Sequence, residues 1–214
     1  MPGTFLASRV NRDVGEPAPS DDLLISRIAE GDRDAFAELY RRHHDDICRF
    51  AAHMCGSNAA AEDVVHEAFV AVIDSARRYR PGRTDARLWL LGIARNHARR
   101  ARAARPTLSL HDHADSGAAA LAIETDPVSD LDRRRHLEAL RRAVVALPVR
   151  YREAVVLCDL HELSYADAAT ALGCAIGTVR SRLHRGRALL ARQLCDRTAE
   201  RPCHLPPVRV SRTT

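Results

Sequence analysis

The sequence predicts an all-α chain: two small helical domains joined by a flexible linker, the second containing a helix-turn-helix. Three observations carry this reading. Apolar residues recur at helical spacing almost everywhere outside one segment, β-branched alternation is scarce, and Gly and Pro fall at helix ends. With 214 residues and 46% hydrophobic content the chain is long enough for two small cores. No run of 18 apolar residues occurs, which excludes a transmembrane helix and hence membrane insertion. Residues 1–20 lack the apolar stretch of a signal peptide and carry Pro17 and Pro19, so they are expected to be a disordered leader and the chain to be cytoplasmic.

Four helices are expected near 21–30, 32–55, 58–78 and 85–104, forming a first domain over 21–105. In the third, Val65, Phe69, Val72 and Ala76 point to a core and leave Glu62, Asp63, His66, Glu67, Val70 and Asp74 outside. An acidic face of this kind does not dock on phosphates, so any partner it has is a protein. The fourth helix divides differently. Leu90, Ile93, Ala94, His97 and Ala101 form its inner stripe, and Gly92, Arg95, Asn96, Arg99 and Arg102 its outer one. Asparagine can both donate to and accept from a base edge, whereas arginine supplies phosphate contacts and guanine readout.

Pro106–Pro127, with proline at each end and a small-residue middle, reads as a linker over 106–128. Helices near 129–146, 149–159, 164–172 and 176–194 then build a second domain over 129–195, followed by a disordered tail over 196–214. Ser164 precedes Asp167 by three residues, the spacing of a capped helix start, and Gly173 supplies the positive φ of the corner before the last helix. On that helix Ile176, Val179, Leu183, Leu190 and Leu194 share one stripe. Thr178, Ser181, Arg185, Ala188 and Arg192 occupy the other side, flanked by Arg180, Arg182, His184 and Arg187. This order is the sequence form of a DNA-reading helix-turn-helix.

The formal net charge is only +5, yet the two longest acid-free stretches, 86–111 and 168–195, are separate basic footprints. Every one of the 33 basic residues is arginine, which the codon bias of a GC-rich genome explains most simply. The six cysteines contain no C-x-x-C pair, against both a zinc ribbon and a secreted disulfide framework. Cys48 and Cys55 share a helix face and read as small buried hydrophobes. The cluster His111, Asp112, His113 and Asp115 lies in the linker without a rigid support, and the tail's Cys195, Cys203 and His204 lack the spacing of a structural zinc site. No metal and no cofactor are expected. Phosphate-cradling, zinc-protease and nucleophile-elbow motifs are all missing, so no enzyme is expected either.

Five blocks in order, GDRDAFAELYRRH at 31–43, AEDVVHEAFVAV at 61–72, ARLWLLGIARN at 86–96, LPVRYREAVVL at 147–157 and LSYADAATALGCAIGTVRSRLHRGRALL at 163–190, resemble the extracytoplasmic-function sigma factors of the sigma-70 family. The resemblance implies a first domain that docks on the RNA polymerase core and meets the melted minus-10 element, and a second that reads the minus-35 element as duplex. By the same resemblance Asp63, His66 and Glu67 would dock polymerase, while Tyr79, Arg95, Asn96 and Arg99 would meet the minus-10 strand. Thr178, Arg180, Ser181, His184 and Arg185 would read minus-35 DNA. Core polymerase and promoter DNA are thus the expected partners, with an anti-sigma factor left open as a third. Arg100 stands where many members carry aspartate, and His184 where relatives vary, so base preference is left open. Trp89 belongs to the family's signature, but its apolar neighbours give it a packing role. The rival reading, a stand-alone helix-turn-helix regulator, explains 164–194 and gives no task to 58–104.

Overall fold

A computed structural model of the chain describes residues 18–104 and 127–199, with side chains described through 104 and over 133–195. The expected leader, the linker with its His111 cluster and the tail with Cys203 and His204 lie largely outside these residues. Eight α-helices are described: α1 Asp21–Ala29, α2 Arg33–Cys55, α3 Asn58–Ser75, α4 Ala86–Ala104, α5 Pro127–Ala146, α6 Val149–Val155, α7 Tyr165–Leu172 and α8 Ile176–Ala199. A 3-10 turn over Ala76–Arg78 extends α3, and a wider π turn over Val156–Leu160 extends α6.

Local chemistry starts these helices where it should. Side-chain oxygens of Ser20, Asp32, Ser57 and Ser164 accept from the free N–H groups of α1, α2, α3 and α7, and Asp85 does the same for α4. Each satisfies donors that have no partner inside the helix. Gly56 and Gly173 end α2 and α7 in the left-handed conformation, with φ of +79° and +60°. In the N-terminal set α2, α3 and α4 pack on one another and α1 lies across α2, burying Leu24, Ile25, Leu39, Ile47, Phe50, Val64, Phe69 and Leu91. In the C-terminal set α8 packs on α6 and α7 around Leu147, Ala154, Val155 and Leu183.

The two sets are docked, which their sequence does not announce. Helix α4 packs on α7, and the large hydrophobic cluster runs without a break from Leu24 and Phe50 to Leu163, Ala168, Leu172 and Val179. Three polar links span the seam. Arg87 forks onto Asp46, with Nε–Oδ2 2.8 Å, and His161 Nδ1 lies 3.1 Å from the same carboxylate. Arg152, fully buried, donates from Nη1 to the carbonyl of Met54 at 2.6 Å. Glu153, also fully buried, receives Arg95 at 3.0 Å and Arg99 at 2.7 Å.

These contacts alter two expected helix faces. On α4 the buried positions include Leu91 and Ala98 as well as Leu90 and Ala94, because the helix is covered by α2 and α3 on one side and by α7 on the other. Arg95, expected on an open outer face, is consequently only 13% exposed. On α8, Ile176 is exposed rather than part of the buried stripe, and Gly186 sits inside it. An added Cβ at Gly186 would lie 2.7 Å from Val155 Cγ2, so helix α8 rests directly on α6.

The two capping glycines differ in a way that unfolding can read. A Cβ at Gly173 meets nothing within 4 Å, so Gly173→Ala carries only the left-handed strain of about 1–2 kcal/mol. At Gly56 a Cβ would lie 2.6 Å from Val145 Cγ1, and Gly56→Ala adds an overpacking cost of about 1–3 kcal/mol. Urea unfolding should rank Gly56→Ala as clearly the less stable; the reverse order would contradict the seam.

Acid should loosen the fold in two stages. Burial, helped by His161, Arg141 and Arg49, pushes His53 down from 6.5 to about 4. Between those values the unfolded chain binds a proton that the folded one refuses, so stability falls as pH drops from 6.5 toward 4. Burial pushes Asp46 up, but hydrogen bonds from His161 and Arg87 outweigh it and hold the carboxyl well below its usual 3.8. That contribution is full above pH 4 and is lost as pH falls further. Urea titrations at stepped pH should therefore show His53→Gln flattening the first stage, and Asp46→Asn flattening the second while lowering stability at pH 7.

Candidate nucleic-acid interface

Helix α8 presents an open basic face on the side where the sequence places Arg180, Ser181, His184 and Arg185. Its apolar residues Val179 and Leu183 are buried against the platform of α6 and α7, which leaves Arg180, Ser181, His184 and Arg185 exposed and Thr178 half-buried. Ser181 Oγ donates to the carbonyl of Thr178 at 3.0 Å. Arg180 stands 5.9 Å from the centre of the Tyr165 ring, a cation–π distance. The Arg185 guanidinium beside Tyr151 holds that phenol below its ordinary pKa. Arg187 is tied back to Asp159, with Nε–Oδ2 3.1 Å, so it braces α8 against the end of α6 and is withdrawn from the open set. The result is an exposed cationic surface on a rigid helix, oriented by an aromatic side chain on each flank.

Helix α4 presents a second basic surface, partly engaged. Asn96 and Arg100 are exposed, whereas Arg95 and Arg99 both turn onto Glu153. Tyr79, expected at the opened strand, is 7% exposed here and stacks on Trp89 with ring centres 4.9 Å apart. Its single O–H is shared between Asp22 and the carbonyl of Thr84, the latter at 2.8 Å. Burial and Asp22 raise its pKa. Tyr79 thus ties together Asp22 and Thr84, two residues that line a shallow cleft of about 350 Å³. The tilted stack makes Trp89 a packing residue, in keeping with its apolar neighbours.

Helix α3 turns Glu62, Asp63, His66, Glu67 and Asp74 to solvent and buries Val65, Phe69 and Val72. Val70 and Ile73, about half exposed, stand beside the carboxylates. Glu67 is shared with His97 of α4, whose Nδ1 lies 3.0 Å from Oε2. The face therefore offers apolar contact area framed by negative charge, the chemistry of a protein surface with a basic rim. Among the described residues no group of three or more His, Cys, Asp or Glu could hold a metal ion.

Sequence reasoning missed Arg152, Glu153 and Asp22. All three are ordinary charged residues on amphipathic helices, and only contacts 54 to 98 residues away in the chain give them their roles.

A family model described as Sigma-70 region 2 matches residues 39–105, and one described as Sigma-70, region 4 matches residues 137–190. The ECF RNA polymerase sigma factor SigE of Mycolicibacterium smegmatis is 33% identical over 187 residues, 85% of this chain and 72% of the relative. SigM of Mycobacterium tuberculosis, another ECF RNA polymerase sigma factor, is 37% identical over 189 residues, 84% of this chain and 87% of the relative. Among solved structures, CnrH in complex with the cytosolic domain of CnrY superposes with a TM-score of 0.60 at 25% identity, covering 83% of this chain and 99% of that one.

The exposed α8 face makes a specific expectation. Arg185 offers a bidentate fork to guanine O6 and N7, so Arg185→Ala should lose about 1–3 kcal/mol of discrimination against a scrambled duplex element. Arg192, farther along the helix and exposed, should act on phosphate: Arg192→Ala weakens all sequences alike and lowers the salt slope by about 1. Equal losses by Arg185→Ala on cognate and scrambled duplexes, measured by anisotropy, would overturn the first assignment.

Proposed function

Because the chain belongs to the extracytoplasmic-function, group 4, sigma factors of the sigma-70 family, and so directs RNA polymerase to promoters as a non-catalytic factor, we propose how its surfaces divide that work. Residues 21–105 form the domain that docks on core polymerase through Asp63, His66 and Glu67 and receives the opened minus-10 strand at Asn96, Arg95 and Arg99. Residues 129–195 form the domain that reads minus-35 duplex with Thr178, Arg180, Ser181, His184 and Arg185. One observation carries the division: two basic faces, on α4 and on α8, belong to separate helix sets, with an acidic, partly apolar face on α3 between neither of them.

Each face suits its partner. Exposed Asp63 and Glu67 beside Val70 and Ile73 fit a protein, since phosphates would be repelled there. Asn96 is the one amide in the basic outer face of α4, able to donate and accept on an unpaired base edge. Tyr79 drops out of the strand-contacting set and shapes the loop before α4 instead. Promoter contact, a cytoplasmic site of action and an anti-sigma partner are part of this proposal. It is supported by the solved complex of CnrH with the cytosolic domain of CnrY and by the lack, among the described residues, of any helix long and apolar enough to cross a membrane.

Run-off transcription with purified core polymerase on candidate promoters tests the division. The chain should form a complex with core enzyme and confer specific starts. Tight binding to promoter duplex without polymerase, together with no core complex, would replace the proposal by a stand-alone regulator. Asn96→Ala should leave recruitment intact and reduce promoter opening, read as permanganate reactivity on duplex relative to pre-melted templates; unchanged reactivity would remove Asn96 from the strand-reading set.

A further inference from the structure

We propose that Glu153 is a built-in competitor for nucleic-acid phosphate: by holding Arg95 and Arg99 in the docked conformer it masks the strand-binding face of α4 while leaving the duplex-reading face of α8 open. The inference rests on the assignment of Arg95 and Arg99 to that face.

The geometry is that of an anion site already filled. Arg95 and Arg99 are one turn apart on α4 and converge on a single carboxylate that has no solvent exposure. Arg95 donates from Nε to Oε1, and Arg99 grips both oxygens in the forked manner in which arginine binds carboxylate and phosphate alike. A strand whose backbone runs along α4 needs the same two guanidiniums and the same space. Helix α7 covers the start of the face, where a Cβ on Gly92 would stand 3.7 Å from the carbonyl of Ala171, while Asn96 stays exposed beside the two engaged arginines. Arg180, Ser181, His184 and Arg185 all remain exposed in this arrangement. The docked chain can therefore meet duplex, whereas a strand that engages both Arg95 and Arg99 must take them from Glu153, which parting the two helix sets achieves.

The seam is built to be reversible. Arg152 is carried into it fully buried, its Nε has no hydrogen-bond partner, and burial pushes its pKa down to about 9. Undocking returns that charge to water, and its rehydration offsets part of the cost of exposing the apolar seam. The helix sets belong to one chain, so separation costs no translational freedom and redocking is fast. A chain docked nine-tenths of the time would bind a strand about tenfold more weakly than one held open.

The test uses the full chain and a fluorescein-labelled 20-mer of oligodeoxythymidine as the strand probe, with small-angle scattering to read domain separation. Two variants open the seam by different routes. Glu153→Gln removes the anion at nearly constant volume, and Gly92→Leu wedges α4 from α7 without touching an ion pair. Both should increase the radius of gyration and bind the probe about tenfold more tightly, the penalty of the docked state being lifted. Circular dichroism guards against unfolding, and Gly92→Leu carries the test if Glu153→Gln does not fold. If folded variants scatter like the parent chain, or the parent is already extended, the masking proposal falls. If they extend without binding the probe more tightly, it falls as well. Adding Arg99→Ala to Gly92→Leu separates the two readings: weaker probe binding keeps Arg99 on the strand face even where masking has failed, and unchanged binding removes it.

Discussion

Two charged neighbours on one turn of α6, Arg152 and Glu153, are buried together, and the arrangement of the remaining helices depends on how each is satisfied. Adjacent positions on a helix point about 100° apart. Arg152 accordingly reaches the end of α2, where the Met54 carbonyl is one of the last four that a helix leaves without an internal partner. A cation there also meets the negative end of the helix dipole. Glu153 reaches α4 and collects two guanidiniums. Helix α6 is thereby pegged between α2 and α4, and α7 and α8, which pack on it or on its extension, follow. Replacing Glu153 would leave Arg95 and Arg99 without their shared carboxylate, and replacing Arg152 would leave the Met54 and Leu147 carbonyls without its donors, so each holds a different helix contact.

The exclusive use of arginine, whatever its genomic origin, has a structural result. The carboxylates that organise long-range contacts, Asp46, Glu153 and Asp159, are each gripped by a guanidinium through two nitrogens, from Arg87, Arg99 and Arg187. A lysine would offer one point charge and no fixed angle. Here the fork sets the direction of approach as well as the pairing, so three helix contacts far apart in the chain are oriented by the same chemistry.

Features that depend on near neighbours are legible in the sequence, and those that depend on distant ones are not. The caps at Ser164 and Gly173, the exposed acidic side of α3 and the buried Val179 and Leu183 of α8 all follow from residues within a turn or two. The docking seam does not. LPVRYREAVVL reads as an ordinary amphipathic stretch, and nothing local distinguishes Arg152 or Glu153 from arginines and glutamates that face water. Periodicity puts Arg95 on an open surface for the same reason: it finds the face of a helix but not the second body that covers it. Resemblance alone carries Tyr79 to the strand, whereas its ring has Trp89 beside it and its hydroxyl has Asp22 to bind.

Gly186 bears on the mechanics of the C-terminal set. The close approach it permits between α8 and α6 leaves no compliant layer of side chains at that point, with the backbone carbonyl of Tyr151 itself 3.3 Å from where a Cβ would be. Helix α8 is therefore a lever pivoted on α6, the element that carries Glu153. A helix of 24 residues is about 36 Å long, so a tilt of about 10° at such a pivot displaces an end by about 3 Å. A tilt of α6 would therefore carry α8 about this point, moving Thr178, eight residues from Gly186, far more than Arg185, which adjoins it.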